Sequence, residues 1–342
     1  MQNKPVKLKN IAEKLNVSVV TVSKALRNHS DISKQMTATI KSVAKEMGYT
    51  PNYLARNLSS KKSHMIGVVV PKVAHFFFGD ITECIYDYAN EKKYEVILTV
   101  SQENPEKEKK NIQTLLSMQV DGLIISITQE TKDFSVFRTL IQRGIPVVFI
   151  DRIPPLDNIN IVEADNFGGA YKAITHAINL GYKKIAHFAG YSDINIGQER
   201  FRGFEQAMKD NNVPVMPYWV SRGGFGEKHG YDTFMELYKA KRLPDLIFAV
   251  TYPVALGVYM AARELGLKIP EDIDVICFGN TKVQEFLSPP LSCINQPVSQ
   301  IAQNAVQLLI DNMNNRENYV PKKIEIDTNL ILRGTCINFN SK

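Results

Sequence analysis

Cysteine is scarce in this chain. The four thiols, Cys84, Cys277, Cys293 and Cys336, lie far apart, and none forms a Cys-x-x-Cys pair. That spacing excludes a zinc ribbon and a disulfide scaffold, and reads as reduced packing residues of a cytoplasmic protein. The six histidines, His29, His64, His75, His176, His187 and His229, are scattered without metal-ligand spacing, so no metal site is expected. Gly-x-Ser-x-Gly is missing, as are a Gly-x-Gly-x-x-Gly after a strand and a Gly-x-x-x-x-Gly-Lys-Ser/Thr loop. Their absence argues against a serine hydrolase, a dinucleotide enzyme and a nucleotide-phosphate enzyme, so neither catalysis nor a cofactor is expected. No stretch approaches the roughly 20 apolar residues of a membrane-spanning helix. Met1 to Asn10 is polar and basic with no apolar segment, so no secretory signal is expected.

Acidic residues are rare in one place only. The first 62 residues hold 12 Lys and Arg against 3 Asp and Glu, a net +9, whereas the other 280 carry a net −3. A block of this charge suits nucleic acid, because each neutralised phosphate releases condensed counterions. A disordered basic tail has the same charge. The apolar pattern favours a fold. At 342 residues, with 44% hydrophobic and 22% charged residues, the chain is globular and long enough for two or three domains.

Leu8, Ile11, Ala12 and Leu15 recur at helical spacing. Asn16-Val17-Ser18 follows as a turn, with Ser18 as N-cap of a second helix from Val19 to about Leu26, whose Val22, Ala25 and Leu26 share one face. A third helix begins after Ser33 and runs to Met47, burying Ile40, Val43, Ala44 and Met47, and Gly48 ends it. Two short helices across a tight turn describe a helix-turn-helix, whose second helix enters the major groove. Val19, Val20 and Lys24 are then the base readers. The valines suit thymine methyl groups, since the core face is already occupied, and Lys24 suits guanine. Core packing is the competing role for the valines. Ser18, Thr21, Ser23 and Arg27 are candidates for phosphate contact.

Gly48-Tyr49-Thr50-Pro51-Asn52-Tyr53-Leu54-Ala55-Arg56-Asn57-Leu58 comes next, then a polar stretch to Ser63. From Val6 to Lys62 the chain resembles the headpiece and hinge of the LacI/GalR family of bacterial transcription regulators. The residues that carry the likeness are Ile11-Ala12, Val17-Ser18, Thr21-Val22-Ser23, Ala25-Leu26, Gly48-Tyr49, Pro51-Asn52, Ala55 and Leu58. The resemblance implies a hinge helix at about Asn52 to Leu58 lying in the minor groove. Asn52, Ala55 and Leu58 would be its contacts, with Leu58 wedged between base steps. The competing role for such leucines is packing against one another.

The remaining 280 residues alternate short apolar runs with helical patterns. Strands are predicted at Met65–Val70, Glu95–Val100, Gly122–Ile127, Val147–Ile150, Ile185–Ala189, Leu246–Val250 and Ile273–Phe278. Helices are predicted at Gly79–Lys93, Glu106–Met118, Asn166–Leu180, Gln198–Asn211 and Val254–Leu265. The expected fold is a small all-α headpiece followed by an α/β core of two doubly wound, parallel-sheet half-domains.

This part also resembles the LacI/GalR core, itself similar to periplasmic sugar-binding proteins, through Val120-Asp121-Gly122-Leu123-Ile124, Ile145-Pro146-Val147, Arg200-Phe201-Arg202-Gly203-Phe204 and Ala255-Leu256-Gly257, among others. The likeness implies three crossings between half-domains. With it, the divisions are 1–50 headpiece, 51–63 hinge, 64–163 with 294–322 as one half, and 164–293 with 323–338 as the other.

Ligands of open α/β sheets bind beyond the carboxyl ends of the strands, so the cleft between two such sheets is the expected pocket. Phe76, Phe77, Ser126, Asp151, Arg200, Phe225, Tyr252 and Asn280 fall there, at the family's effector positions by motif matching. Packing for the phenylalanines and capping for Asp151 remain open. Thr251-Tyr252 and Gly279-Asn280 stand where the family often has carboxylates, which leaves the effector class open. A periplasmic binding protein is the competing reading, but it would carry no basic helix-turn-helix. The expected function is therefore DNA-binding transcription regulation, with repression first and activation open. The expected partners are a pseudo-palindromic operator, a second copy of the chain, and a sugar or sugar derivative, anionic where Arg200 pairs with it and neutral where Arg200 instead pairs internally with Asp151. No leucine heptad follows Leu330–Leu332, so a dimer is expected rather than a tetramer.

Overall fold

The structure, a computed structural model, describes residues 6–49, 62–74, 76–316 and 319–338. It divides into two compact units, Met1–Ser63 and His64–Lys342.

The first unit holds α1 (Leu8–Leu15), α2 (Val19–Leu26) and α3 (Lys34–Glu46). Each boundary has a local cause. Asn16 takes the left-handed conformation, φ 52°, that stops α1. Ser18 caps α2 by accepting from the Thr21 N–H, and Ser33 caps α3 by accepting from the Met36 N–H. Gly48, at φ 68°, ends α3. Ile11, Ala12, Val22, Ala25, Ile40 and Ala44 form the buried centre, with Leu8, Leu15, Leu26, Val43 and Met47 packed around it. Fully burying Ile11, Val22 and Ile40 contributes roughly 1.5–3 kcal/mol each. The helical faces expected from spacing are the faces that pack.

The second unit is two six-stranded sheets. The first uses β1 (Met65–Val70), β2 (Glu95–Val100), β3 (Gly122–Ile125), β4 (Val147–Ile150), β5 (Asn160–Ala164) and β11 (Lys323–Ile326), in the order β11-β5-β4-β3-β1-β2. The second uses β6 (Ile185–Ala189), β7 (Val220–Arg222), β8 (Leu246–Ala249), β9 (Asp274–Phe278), β10 (Ser292–Asn295) and β12 (Asn329–Ile331), in the order β12-β10-β9-β8-β6-β7. All neighbours are parallel except β10 and β12. The central runs are apolar throughout because helices cover both faces, while no residue of the edge strand β2 is fully buried.

The helices are α4 (Phe76–Glu91), α5 (Pro105–Ser117), α6 (Ser135–Gln142), α7 (Asn166–Asn179), α8 (Asn195–Asp210), α9 (Glu227–Lys239), α10 (Tyr252–Glu264) and α11 (Val298–Asn314). Helix α11 packs against α4 and so returns the chain to the first half, where Ile301, Ala305 and Leu309 join the core of Ile66, Ile81 and Ile150.

The chain crosses between halves three times, at 165, at 296–297 and at 327–328. Two of the crossings are bonded together: Asp165 N–H donates to the Ile326 carbonyl at 2.8 Å, and Thr328 Oγ1 donates to the Asp165 carbonyl at 3.3 Å. The expected divisions shift accordingly. Residues 294–295 belong to the second sheet through β10. Residues 323–326 belong to the first through β11, which pairs with β5 in parallel register, Lys323 beside Ile161. Among the described residues no helix is long and apolar enough to cross a membrane.

Candidate DNA-reading helix and effector cleft

On α2 the buried side chains are Val22 and Ala25, so the helix presents its other face outward. Val19 is 43% and Val20 64% exposed, as expected for side chains that need an external partner. The polar residues are more occupied than the sequence suggests. Ser18 Oγ serves the Thr21 amide and lies 2.8 Å from Thr21 Oγ1. Arg27 folds back on Ser23, donating from Nε to its carbonyl at 3.1 Å and from Nη2 to its hydroxyl at 3.2 Å. Lys24 Nζ lies 2.6 Å from Asp31 Oδ2. The hinge candidates Asn52, Ala55 and Leu58 lie outside the described residues.

In the second unit one cavity gathers seven of the eight expected cleft residues, Phe76, Phe77, Asp151, Arg200, Phe225, Tyr252 and Asn280, together with Arg152, Thr251, Phe278 and Gln296. Each comes from a strand's carboxyl end or the helix that follows. Phe76 and Phe77 open α4 after β1. Asp151 follows β4 in a left-handed conformation, φ 56°. Thr251 caps α10 and donates its hydroxyl to the Phe225 carbonyl at 2.8 Å, which ties the Phe225 loop to the start of Tyr252's helix. The rings of Phe76 and Tyr252 meet edge to face at 5.9 Å across the two half-domains.

Ser126 is the exception. It is fully buried, its Oγ accepts from the Arg152 backbone N–H at 3.4 Å, and it is not among the cavity's lining residues.

Arg200 is built in. Its Nε donates to Asn166 Oδ1 at 2.9 Å, its Nη1 donates to the Val250 carbonyl at 2.7 Å, and its guanidinium stands 3.8 Å above the Phe278 ring. Its hydrogen bonds therefore go to Asn166 and Val250 rather than to Asp151. Burial pulls its pKa down to about 10, with Asp151 opposing, so it stays charged at neutral pH. Burial pushes the Asp151 carboxyl up, opposed by Arg152, Arg200 and a hydrogen bond with Gln296. Asn280 Oδ1 accepts from Arg333 Nη2 at 2.8 Å, which leaves its NH2 as its remaining polar function.

Arg152 escaped the sequence reading, although it directly follows Asp151. Its side chain is 3% exposed and paired with Glu103. Its guanidinium lies 5.5 Å from the Phe78 ring and 5.1 Å from the Phe225 ring. Its Nε is buried with no hydrogen-bond partner among the described residues. A buried donor left unpaired costs about 1–3 kcal/mol, and a ligand oxygen would relieve that.

Comparison with known proteins agrees with this geometry. Residues 7–52 match the family described as bacterial regulatory proteins, lacI family, and residues 174–336 match the periplasmic binding protein-like domain. The chain is 29% identical over 332 residues to the HTH-type transcriptional repressor PurR of Haemophilus influenzae (strain PittEE), covering 95% of this chain and 97% of that protein. It is 28% identical over 335 residues to the protein of the same name from Actinobacillus pleuropneumoniae serotype 3 (strain JL03), covering 97% and 99%. A solved structure of the Lac repressor dimer bound to operator and the anti-inducer ONPF shares the fold, with a TM-score of 0.86, 24% identity and coverage of 97% and 99%. The chain thus joins a lacI-type helix-turn-helix to a periplasmic-binding-protein-like unit, the build of a DNA-binding transcription regulator.

Proposed function

We propose that the protein represses transcription, binds a pseudo-palindromic operator as a homodimer, and is controlled by a sugar or sugar derivative in the cleft. The observation that carries the control is the origin of the cleft side chains. Phe76, Phe77, Asp151 and Arg152 come from one half-domain, and Arg200, Phe225, Tyr252 and Asn280 from the other. A ligand held by both halves binds one relative placement of them better than another, and that differential affinity is what couples two sites. The relatives named as repressors support the direction of control.

The aromatic rings suit the apolar face of a sugar ring, and Asp151 suits its hydroxyls. Glu103 neutralises Arg152, and the hydrogen bonds of Arg200 go to Asn166 and Val250, so among the described lining residues neither guanidinium is directed at a phosphate or carboxylate. The neutral member of the expected pair is therefore favoured, with a ring or carbonyl oxygen at Arg152 Nε.

The test is a thermal-shift screen of neutral sugars, uronates and sugar phosphates, followed by operator binding with each hit. Ligand at 100 times its dissociation constant stabilises the folded state by about 2.7 kcal/mol. A hit should also change operator affinity, and Tyr252→Ala should lose it. A hit that leaves operator affinity unchanged, or that Tyr252→Ala still binds, removes the proposed control. Selection from a random duplex library should return a two-fold symmetric site.

A further inference from the structure

We propose that Asp31 sets base specificity by withholding Lys24 from the DNA, so that Val19 and Val20 carry the readout. The inference rests on α2 being the base-reading helix.

Lys24 sits in the last turn of α2, and Asp31 lies seven residues on, between α2 and α3. Lys24 Nζ and Asp31 Oδ2 are 2.6 Å apart, and the other oxygen of Asp31 is 3.3 Å from His29 Nδ1. The hydrogen bond from Lys24 and the charges of Lys24 and His29 hold the Asp31 carboxyl below its ordinary range, so it is ionised at neutral pH. Only three acidic residues occur in the first 62 positions. Glu13 pairs with Lys9 and Glu46 with Lys14, both on α1, so Asp31 alone is directed at the reading helix. The other long cation of α2, Arg27, is bound to Ser23. What α2 presents without an internal partner is Val19 and Val20.

To reach the O6 and N7 acceptors of a guanine, Lys24 must leave Asp31. The carboxylate would then stand unpaired in the field of the phosphates. That cost is charged against any base contact Lys24 makes, so its contribution to affinity and to discrimination shrinks. Contacts between the valines and thymine methyls carry no such cost. The pair is solvent-exposed, with side chains 35% and 50% accessible, so it is weak enough to break without unfolding the headpiece.

The experiment is selection from a random duplex library with the full chain as wild type, Asp31→Asn, Lys24→Ala and the double variant, followed by titrations. Asn keeps the shape of Asp and removes its charge. Wild type should return a thymine-rich half-site with no guanine preference at the position facing Lys24. Asp31→Asn should gain a guanine there and bind that duplex about three- to fivefold tighter than wild type, the size of one exposed ion pair. Lys24→Ala should keep the wild-type motif, and the double variant should lose the gain. A wild-type guanine that Lys24→Ala abolishes would overturn the proposal. So would an Asp31→Asn variant whose affinity rises equally on all sequences. If wild type enriches no motif, base reading by α2 fails and the proposal fails with it, an outcome distinct from an enriched motif that ignores Asp31.

Discussion

Arg152 and Glu103 are locked together at the wall of the cleft, with Arg152 Nη1 2.8 Å and 3.0 Å from the two carboxylate oxygens. Glu103 also accepts from the Gln129 N–H at 3.0 Å, while the Arg152 N–H donates to Ser126 Oγ at 3.4 Å. The segments after β2, β3 and β4 thus meet at one ion pair. A second carboxylate, Glu108, holds the same loop by accepting from the Thr128 N–H at 2.7 Å and from Thr131 Oγ1 at 2.8 Å.

Arg152→Met should destabilise the second unit by about 3 kcal/mol, because removing one partner strands the other charge in a poorly hydrated place. Glu103 is 19% exposed, which puts the loss at the lower end of the range for buried pairs. The double variant Glu103→Gln with Arg152→Met should recover more than half of it. Urea unfolding of wild type and the variants measures this, and equal losses in the single and double variants would show that the pair's charge is irrelevant.

Glu108 predicts a pH dependence. Burial pushes its pKa to about 7, against an ordinary value of 4.5. The folded state therefore keeps a proton that the unfolded chain releases between those values. The stabilisation is complete below pH 4.5 and is lost as pH rises through about 7, at a few kcal/mol by linkage. Glu108→Gln, whose amide can still accept from Thr128 and donate to Thr131, should be the more stable protein at pH 8. It should also flatten the slope between pH 5 and pH 7. Parallel stability curves for wild type and variant would contradict this origin of the slope.

Most strands that show in the sequence are buried throughout, and the half-exposed edge strand Glu95–Val100 shows as well. Met65–Val70, Val147–Ile150 and Ile185–Ala189 have the ends that their apolar runs predict, because helices cover both faces and every residue is selected for it. Asn160–Ala164, Ser292–Asn295 and Lys323–Ile326 were missed. Their sequences mix polar with apolar residues, and Lys323–Ile326 is placed only by pairing with Asn160–Ala164, about 160 residues earlier. The rule that ligands sit beyond strand ends found Asp151 and Tyr252. It stopped at Asp151, the first residue after β4, and so missed Arg152 one position on. Its burial depends on Glu103, 49 residues earlier, and on the rings of Phe78 and Phe225. The rule also placed Ser126 in the cleft, whereas its hydroxyl accepts from the Arg152 amide just after β4. The core faces of α1, α2 and α3 were legible from spacing alone, but the capture of Lys24 by Asp31 depends on how the turn after α2 folds.

Helices α9 and α10 touch backbone to backbone at a reciprocal pair of glycines. A Cβ on Gly230 would lie 2.0 Å from the Val254 carbonyl oxygen, and a Cβ on Gly257 would lie 2.0 Å from that of Glu227. Neither obstacle is a side chain that can turn away. Gly257→Ala should therefore cost at least the roughly 1–3 kcal/mol of ordinary overpacking, with the helices forced apart. Tyr252 begins α10, so the same substitution should weaken binding of any cleft ligand. Urea unfolding and ligand titration check the two effects, and a fully stable Gly257→Ala protein would mean the helices can separate freely.

The exposed valines of α2 make the sharpest prediction about DNA. Val19 and Val20 lie outside the packed centre of the headpiece, 43% and 64% exposed, while Val22 and Ala25 are buried. If they cover thymine methyls, replacing thymine by uracil at those positions deletes one apolar group from the interface and changes no hydrogen-bonding edge. The loss should be about 0.8 kcal/mol per methyl, or roughly fourfold in affinity at each position. Substitution at thymines elsewhere in the operator should have no effect. Val20→Ala should lose the sensitivity to uracil at its own position while leaving thermal stability within about 0.5 kcal/mol of wild type, as befits an exposed side chain. Titrations of wild type and Val20→Ala against thymine and uracil duplexes decide the matter. Equal affinities for the two duplexes in the wild-type protein would show that the valines do not read the methyl groups.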